Sequence, residues 1–236
     1  MDLKSLHALC PDPAVFGVEY ECKWADQINP FLELDLLQFT DEFPSVGEIY
    51  IGGDLARTHD NTVFVVLRKH NGVFYVVDVI VLNKCPYDKQ LAVLKELYAK
   101  WRPASAYLDS NGLGGPLAEA ANKHISARIR GFQTTAANKS GLYEDCRSLV
   151  LDRKLLFSSE WKDITRRDIQ GVERILGDDG KLHYQSTRNA RGHCDFSSAL
   201  VLGLRAAKDH PANARKVAAI PRATSFGSVN WNFQRF

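Results

Sequence analysis

The chain has 236 residues, of which 45% are hydrophobic and 25% are charged, and its formal net charge at pH 7 is +2. This composition is typical of an ordinary globular protein with one large domain, and so small a net charge does not by itself indicate a nucleic-acid partner. No apolar run is long enough to cross a bilayer, so we expect no membrane partner, and the N-terminal residues lack the layout of a signal peptide. The five cysteines are scattered without a CxxC or Cys/His cluster, which indicates reduced thiols in a cytosolic compartment and no zinc site.

The N-terminal part of the chain is irregular up to residue 44 and contains several prolines. This segment is interpreted as a connector or docking segment, with a short helix predicted over residues 31–39. From residue 48 the pattern becomes regular, and apolar, β-branched runs cover residues 48–55, 62–69 and 72–81. Asn71-Gly72 is a strong signal for a tight hairpin, so these runs predict an antiparallel meander of three strands.

The segments that follow alternate between helical and strand patterns. Apolar residues at helical spacing predict a helix over residues 87–101, with Asp88 as its N-cap and Pro103 as its stop. The later predicted elements are a strand at 105–109, a helix beginning at Pro116, a strand at 125–132, helices near 139–152 and 162–176, an edge strand at 181–187 and a helix at 195–208. This order predicts an α/β fold, with a mixed sheet of three antiparallel strands and then parallel strands, flanked by helices.

Three aspartates lie at the ends of apolar elements. Asp54 follows the first strand, Asp109 ends a strand before a glycine turn, and Asp195 opens the last helix. Ligand sites in such sheets form where strands end and their order switches, so we expect the three side chains to converge. Converging carboxylates repel one another, and hard divalent cations such as Mg²⁺ or Mn²⁺ remove that conflict. Two such ions about 4 Å apart activate water and stabilise the leaving oxygen of a phosphodiester.

Each of these aspartates also has an ordinary interpretation. Asp54 is then a plain strand-end residue, and Asp195 is a plain helix N-cap. Asp109, with the Ser-Asn-Gly sequence after it, is then the start of an ordinary turn. The metal hypothesis depends on the combination of all three positions rather than on any one of them.

The three motifs, taken together, resemble those of the nuclease domain in the large terminase subunit of tailed phages, and they are most similar to the Mu-like group. The first motif reads GGDLARTHDNT, the second AYLDSNGLGGPL and the third GHCDFSSALVLGL. The resemblance covers roughly residues 48–207 and keeps the motif order of the family. In that family the motifs are a strand with Gly-x-Asp, a strand that ends in Asp before glycines, and His-x-Asp at the start of an apolar helix.

The resemblance implies an RNase H-like fold and an endonuclease that cleaves duplex DNA during phage genome packaging in the host cytoplasm. It places Asp54, Asp109 and Asp195 at the three metal-binding and catalytic positions, with two Mg²⁺ or Mn²⁺ ions as cofactors. It further implies double-stranded DNA, the terminase ATPase part, the small terminase subunit and the portal as partners.

The chain departs from complete large terminases in one respect, because it has no GxxxxGK[ST] phosphate loop. It therefore resembles a nuclease fragment or a separately encoded nuclease half. On this interpretation residues 1–47 are a linker or the end of a missing ATPase motor, residues 48–208 are the nuclease domain, and residues 209–236 are a C-terminal tail.

Several further residues are candidates for the same site. Asp60 and His193 are expected to orient the metal-binding carboxylates, although a solvated turn and an ordinary loop histidine explain them equally simply. Lys139 and Arg191 are candidate DNA contacts within a set of basic residues that would bind the phosphate backbone without reading sequence. The ordinary alternative is that such residues are scattered, solvated surface charges.

Two other classes of function stay open at this stage. An RNase H-like phosphotransferase or ATPase shares the early strands, but it needs glycines after its first aspartate, and the segment after Asp54 lacks them. A non-catalytic module that docks DNA or the portal is the other alternative. A metal-dependent cleavage assay separates this docking module from a nuclease.

Overall fold

The computed structural model describes residues 29–56, 61–112, 114–177, 182–186 and 194–210. The strands in this part of the chain are β1 Asn29–Pro30, β2 Gln38–Thr40, β3 Glu48–Asp54, β4 Asn61–His70, β5 Val73–Asn83, β6 Ser105–Asp109, β7 Ile129–Phe132, β8 Leu155–Ser158, β9 Val172–Leu176 and β10 Leu182–Ser186. The helices are α1 Tyr87–Trp101, α2 Gly114–His124, α3 Ala136–Leu151, α4 Lys162–Gln170 and α5 Asp195–Asp209, with a 3-10 turn at Ser159–Trp161. No helix in the described residues is long and apolar enough to span a membrane.

The predicted antiparallel meander is confirmed. Strand β4 pairs antiparallel with both β3 and β5, and its central residues are buried. Asn71 and Gly72 connect β4 to β5 with φ angles of 49° and 81°. Both angles lie in the left-handed region that a tight hairpin turn requires, which explains why the chain has Asn-Gly there.

Parallel strands extend this meander on both sides. The strand order of the main sheet is β2-β8-β5-β4-β3-β6-β7. Strand β6 pairs parallel with β3 and with β7, whereas β8 pairs parallel with β5 and with β2. The predicted mixed sheet flanked by helices is therefore confirmed, with the antiparallel strands at its centre.

Both faces of the sheet are covered, and β4 shows how the sequence achieves this. Val63, Val65 and Leu67 belong to a buried cluster that includes residues of α3 and α5. Phe64 and Val66 belong to a second buried cluster that includes residues of α1 and α2. Successive strand residues point to opposite faces, so a continuous apolar run is what a strand buried on both sides needs.

The helix predicted over residues 31–39 is wrong. This segment forms turns and then β2, the edge strand beside β8. Phe31, Leu32 and Leu37 are buried in the core cluster of α3 and α5, with 0%, 2% and 6% of their surfaces exposed. The apolar spacing that resembled a helix thus serves to anchor the segment on the main domain. The interpretation of residues 1–47 as a linker or the end of an ATPase motor stays a prediction, and residues 1–28 lie outside the described residues.

Three other predictions need correction. The helix predicted over residues 162–176 ends at Gln170, and the rest of that range is β9. Pro86, rather than Asp88, is the N-cap of α1, and Asp88 lies in the first turn. The strand predicted near residues 181–187 exists as β10, but it belongs to a separate sheet of order β1-β9-β10. Strand β8, which joins β2 to β5, was not predicted.

Candidate metal centre

Strand pairing brings Asp54 and Asp109 to the same edge of the sheet. Strands β3 and β6 are parallel neighbours, and Gly53 is paired with Leu108 at the carboxyl end of the two strands. Asp54 and Asp109 are the next residues on the two strands and the final residues of both. The carboxyl ends of two adjacent parallel strands thus each finish in a carboxylate, as the sequence predicts for a site at a strand-order switch.

Helix α5 brings the third aspartate to this edge by packing directly on β3. A Cβ atom added to Gly52 would lie 1.9 Å from the carbonyl oxygen of Ala199 and 2.3 Å from the amide nitrogen of Gly203. The helix can approach so closely only because neither Gly52 nor Gly203 has a side chain. Asp195 is the first residue of α5, and its Oδ2 accepts a hydrogen bond of 3.3 Å from the amide of Asn61.

The electrostatics show that the charges of the other two aspartates act on Asp54. The pKa of Asp54 is raised well above its usual value, first by burial, then by the charge of Asp195 and then by that of Asp109. Burial also raises the pKa of Asp109, while hydrogen bonds from Asn111 and Ser110 act in the opposite direction. An aspartate in such a place is costly to ionise unless a cation compensates the charge.

Ser198 supports Asp54 from the first turns of α5. Its hydroxyl group donates a hydrogen bond to the Asp54 carboxylate, which favours the ionised form and opposes the effect of burial. The hydrogen bond therefore connects α5, which carries Asp195, with the carboxylate of Asp54. Ser198 lies in the third motif, three residues after Asp195, but it was not singled out from the sequence.

The donor set fits a hard divalent cation. The coupled side chains supply carboxylate oxygens, which Mg²⁺ and Mn²⁺ prefer. Within the described ranges, however, no group of three or more His, Cys, Asp or Glu side chains lies close enough together to hold a metal ion by itself. An open arrangement suits Mg²⁺, which usually takes one or two carboxylates from the protein and completes its shell with water and phosphate.

Asp168 lies next to the candidate site and was not singled out from the sequence. It lies in α4, and its carboxylate accepts hydrogen bonds from the amides of Phe196 and Ser197 at 3.0 and 2.8 Å. It therefore caps α5 from another helix. The ordinary interpretation of Asp195 as the N-cap is wrong, because Cys194 occupies that position and Asp195 is already helical. No local pattern could have identified Asp168, because its partners are 28 and 29 residues away.

Lys139 is the candidate DNA contact that the structure places beside the aspartates. It lies in the first turns of α3 and is half-buried, and burial lowers its pKa while the charges of Cys194 and Asp54 raise it. Its ammonium group also lies 5.9 Å from the centre of the Tyr143 ring. The other candidates, Asp60, His193 and Arg191, lie outside the described residues.

Some of the other basic residues that the sequence suggested as contacts for the DNA backbone, among them Arg130, Arg147 and Lys154, have other partners or are buried. Arg147 is 8% exposed and belongs to the interior, so it does not contribute to a DNA-binding surface. Arg130 lies 6.0 Å from the centre of the Tyr107 ring, and Lys154 forms an ion pair of 2.9 Å with Asp152 on the surface. Among the basic residues described, Lys139 is therefore the one that we connect with the carboxylates.

A mixed sheet with an antiparallel centre, carboxylates at the ends of two parallel strands and a third carboxylate on a packed helix defines the RNase H-like class of nuclease folds. The sequence model of the family described as the terminase RNaseH-like domain matches residues 51–207. The chain belongs to this family. No curated protein matches the chain in sequence.

Solved structures agree on the fold. The large terminase nuclease from thermophilic phage G20c with bound magnesium is 19% identical, with a TM-score of 0.62 over 76% of this chain and 97% of that one. The nuclease domain of the large terminase of Thermus phage P74-26 is 18% identical, with a TM-score of 0.58 over 74% of this chain and 93% of that one. The large terminase of bacteriophage HK97 is 14% identical, with a TM-score of 0.60 over 86% of this chain and 50% of that one. The chain thus spans about half the length of the HK97 protein.

Proposed function

We propose that the chain is a metal-dependent endonuclease that cleaves duplex DNA during phage genome packaging, as the nuclease part of a large terminase. The observation that carries the proposal is that Asp54 and Asp109 end the adjacent parallel strands β3 and β6, while Asp195 begins the helix packed on β3. Membership of the terminase RNaseH-like family supports it. The placement of the chain in the Mu-like group stays a prediction.

Asp54, Asp109 and Asp195 are the residues that would hold two Mg²⁺ or Mn²⁺ ions. When bound, the ions would supply an activated water and compensate the negative charge that develops on the scissile phosphate and the leaving oxygen. The G20c nuclease with bound magnesium, and the same nuclease with bound cobalt, support the use of divalent ions. We further propose that Asp60 and His193 orient these carboxylates.

The chain's own residues supply position and charge. The strand ends fix Asp54 and Asp109, the hydroxyl of Ser198 holds Asp54, and the packing of α5 fixes the first turn that carries Asp195. Lys139 lies beside Asp54 and would bind a phosphate oxygen of the DNA backbone. None of these groups is expected to recognise individual bases, so we expect cleavage with little sequence preference.

The partners follow from the same proposal. The HK97 large terminase is about twice as long as the part that this chain matches, so the nuclease would act together with an ATPase part. The small terminase subunit and the portal are the other partners that we propose, with the host cytoplasm as the place of action.

The direct test is cleavage of plasmid DNA by the whole chain in the presence of Mg²⁺ or Mn²⁺, with and without EDTA. We expect nicked and linear products that EDTA abolishes, and we expect Asp54→Asn, Asp109→Asn and Asp195→Asn each to be inactive. Asp152→Asn is the matched control, because Asp152 is 58% exposed and paired only on the surface. Cleavage that persists in EDTA, or full activity in any of the three variants, would contradict the proposed site.

A parallel assay separates the nuclease from the phosphotransferase alternative. The chain lacks a phosphate loop, and glycines do not follow Asp54, so we expect no ATP hydrolysis. A metal-dependent ATPase rate that disappears in Asp54→Asn would favour the phosphotransferase instead. Metal binding without cleavage of any DNA would favour a docking module.

A further inference from the structure

Asp168 is the acidic residue of this region that the proposed mechanism does not yet use. It projects from α4 against the N-terminal turn of α5, and it is partly buried there. Its Oδ1 accepts hydrogen bonds from the amide of Ser197 at 2.8 Å and from the hydroxyl of Ser197 at 2.5 Å. Its Oδ2 accepts a hydrogen bond of 3.0 Å from the amide of Phe196. Both carboxylate oxygens are therefore already engaged with α5.

We propose that Asp168 is a positioning residue for the metal centre, which caps α5 from outside and so fixes the first helical turn, on which Asp195 lies. This inference rests on the proposed function, because it assigns a role toward the metal that Asp195 would bind. A helix leaves its first amides without intrahelical partners, and the side chain of a Ser, Thr, Asp or Asn residue at the N-cap position usually accepts a hydrogen bond from one of them. In α5 the acceptors come from Asp168 of α4 instead.

The backbone at the start of α5 agrees with a cap that comes from outside the helix. Cys194, at the N-cap position, has a φ of 63° and makes no side-chain capping bond. The chain therefore enters α5 in a left-handed conformation, and the usual N-cap side chain contributes nothing to the helix end. Asp168 supplies the missing acceptors from α4, and the contact also fixes the rotation of the first helical turn on which Asp195 lies.

A role as a further metal ligand does not fit the same contacts. A ligand needs a carboxylate oxygen directed at the ion, whereas the two oxygens of Asp168 accept three hydrogen bonds from Phe196 and Ser197. Groups that hold a metal ligand in place through hydrogen bonds typically change metal affinity about 10- to 100-fold when they are removed. The expected effect of Asp168 is of this kind.

The test compares Mn²⁺ binding by calorimetry with thermal unfolding of the metal-free protein, in the whole chain. Asp168→Asn keeps the shape of the side chain but places an NH₂ group where an acceptor faces the donors of Phe196 and Ser197. We therefore expect Mn²⁺ to bind about tenfold more weakly, while the protein still unfolds cooperatively. Ser197→Ala removes only the hydroxyl contact and keeps both backbone bonds, so a smaller loss is expected. Asp168→Glu restores a carboxylate and should recover part of the affinity.

The combination with Asp195→Asn separates positioning from general stability. If Asp168 acts through Asp195, Asp168→Asn should not weaken Mn²⁺ binding further when Asp195 is already Asn. Unchanged Mn²⁺ affinity in folded Asp168→Asn and Ser197→Ala, with a lower melting temperature alone, would overturn the inference and leave a purely structural cap. An Asp168→Asn effect that persists in full in the Asp195→Asn background would also overturn it. If the unaltered chain binds no Mn²⁺ at all, the proposed function itself fails.

Discussion

Gly52 of β3 and Gly203 of α5 lie in direct contact, and this contact sets the distance between the helix that carries Asp195 and the strand that carries Asp54. A Cβ atom on Gly52 would lie 1.9 Å from the carbonyl oxygen of Ala199, which is backbone and cannot turn away. A Cβ atom on Gly203 would lie 2.9 Å from Cδ1 of Leu67, at the flexible end of a side chain. The geometry of the candidate metal centre therefore depends on a pair of glycines that contribute no functional group.

We predict a graded response to alanine at these glycines. Gly52→Ala should reduce the free energy of unfolding by about 3 kcal/mol or more and abolish cleavage, because α5 must move away from β3. Gly203→Ala should cost about 1–2 kcal/mol, since the side chain of Leu67 can adjust. Chemical denaturation and plasmid cleavage measure both effects.

Gly141 provides the control for this series. It is exposed within α3, and a Cβ atom there would meet nothing within 4 Å. Gly141→Ala should therefore stabilise the chain by up to about 1 kcal/mol through helix propensity and leave cleavage unchanged. A Gly52→Ala protein that is as stable and active as the unaltered chain would show that α5 does not sit where the structure places it.

The pKa of Asp54 predicts how stability without metal depends on pH. A carboxyl group with a raised pKa in the folded state binds more protons when folded than when unfolded, so stability falls as pH rises above 3.8 and through the folded-state pKa. Asp54→Asn removes this penalty. It should raise the metal-free melting temperature at pH 8, by about 2–4 °C for each kcal/mol gained, and the difference should shrink as the pH falls toward 4.

Calorimetric scans across pH, with and without Mn²⁺, test this prediction. Mn²⁺ should raise the melting temperature of the unaltered chain, because it binds the folded state alone, and should do so much less in Asp54→Asn. Asp152→Asn is again the control and should follow the unaltered chain at every pH. If the Asp54→Asn protein is less stable than the unaltered chain at pH 8 without metal, then burial and the charges of Asp195 and Asp109 do not destabilise the ionised Asp54.

The sequence predicts elements well where periodicity and local turn signals agree. The meander of β3 to β5 was predictable because its residues are apolar over long runs and Asn71-Gly72 marks the hairpin. Strand β8 was missed because it has only four residues and directly follows a helix. The residues of β9 have spacing that also suits a helix, and only pairing with β1 and β10 makes them a strand.

The residues of the candidate site also differ in whether a local sequence pattern can identify them. Asp54, Asp109 and Asp195 could be chosen from the sequence because each stands at the end of an apolar element, and their role as metal ligands stays a prediction. Asp168 was not predictable, because it lies within a polar helix and acts on amides far along the chain. Burial and pairing that depend on tertiary contacts leave no local pattern in the sequence.

Lys139 should contribute to DNA binding through charge alone. Lys139→Ala should weaken binding to duplexes of any sequence, and the slope of log affinity against log salt concentration should fall by about 1, because one phosphate contact is lost. Fluorescence anisotropy with labelled duplexes, in Ca²⁺ or without metal, measures this slope. Lys154→Ala is the control, since Lys154 is 51% exposed and paired with Asp152. Equal slopes for the two variants would place Lys139 outside the DNA path.

The C-terminal boundary of the nuclease domain can be tested by truncation. We expect the segment after α5 to be dispensable for cleavage and to serve assembly with a partner, but the structure moves the cut from Lys208 to His210. Asp209 accepts hydrogen bonds from the Tyr107 hydroxyl at 3.1 Å and from Nε of Arg205 at 2.8 Å, and the His210 ring lies 6.3 Å from that of Tyr50. Truncation after His210 should therefore keep the melting temperature and the cleavage of free DNA.

Truncation after Lys208 should instead cost about 1 kcal/mol or more, because the Tyr107 hydroxyl and Arg205 lose their shared acceptor. Thermal unfolding and plasmid cleavage of the two truncated chains, side by side with the unaltered one, measure the difference. Pull-down with a portal or a terminase ATPase part then tests assembly, which both truncations should lose. Aggregation or a non-cooperative transition after the cut at His210 would show that residues 211–236 pack on the domain and that the boundary lies later in the chain.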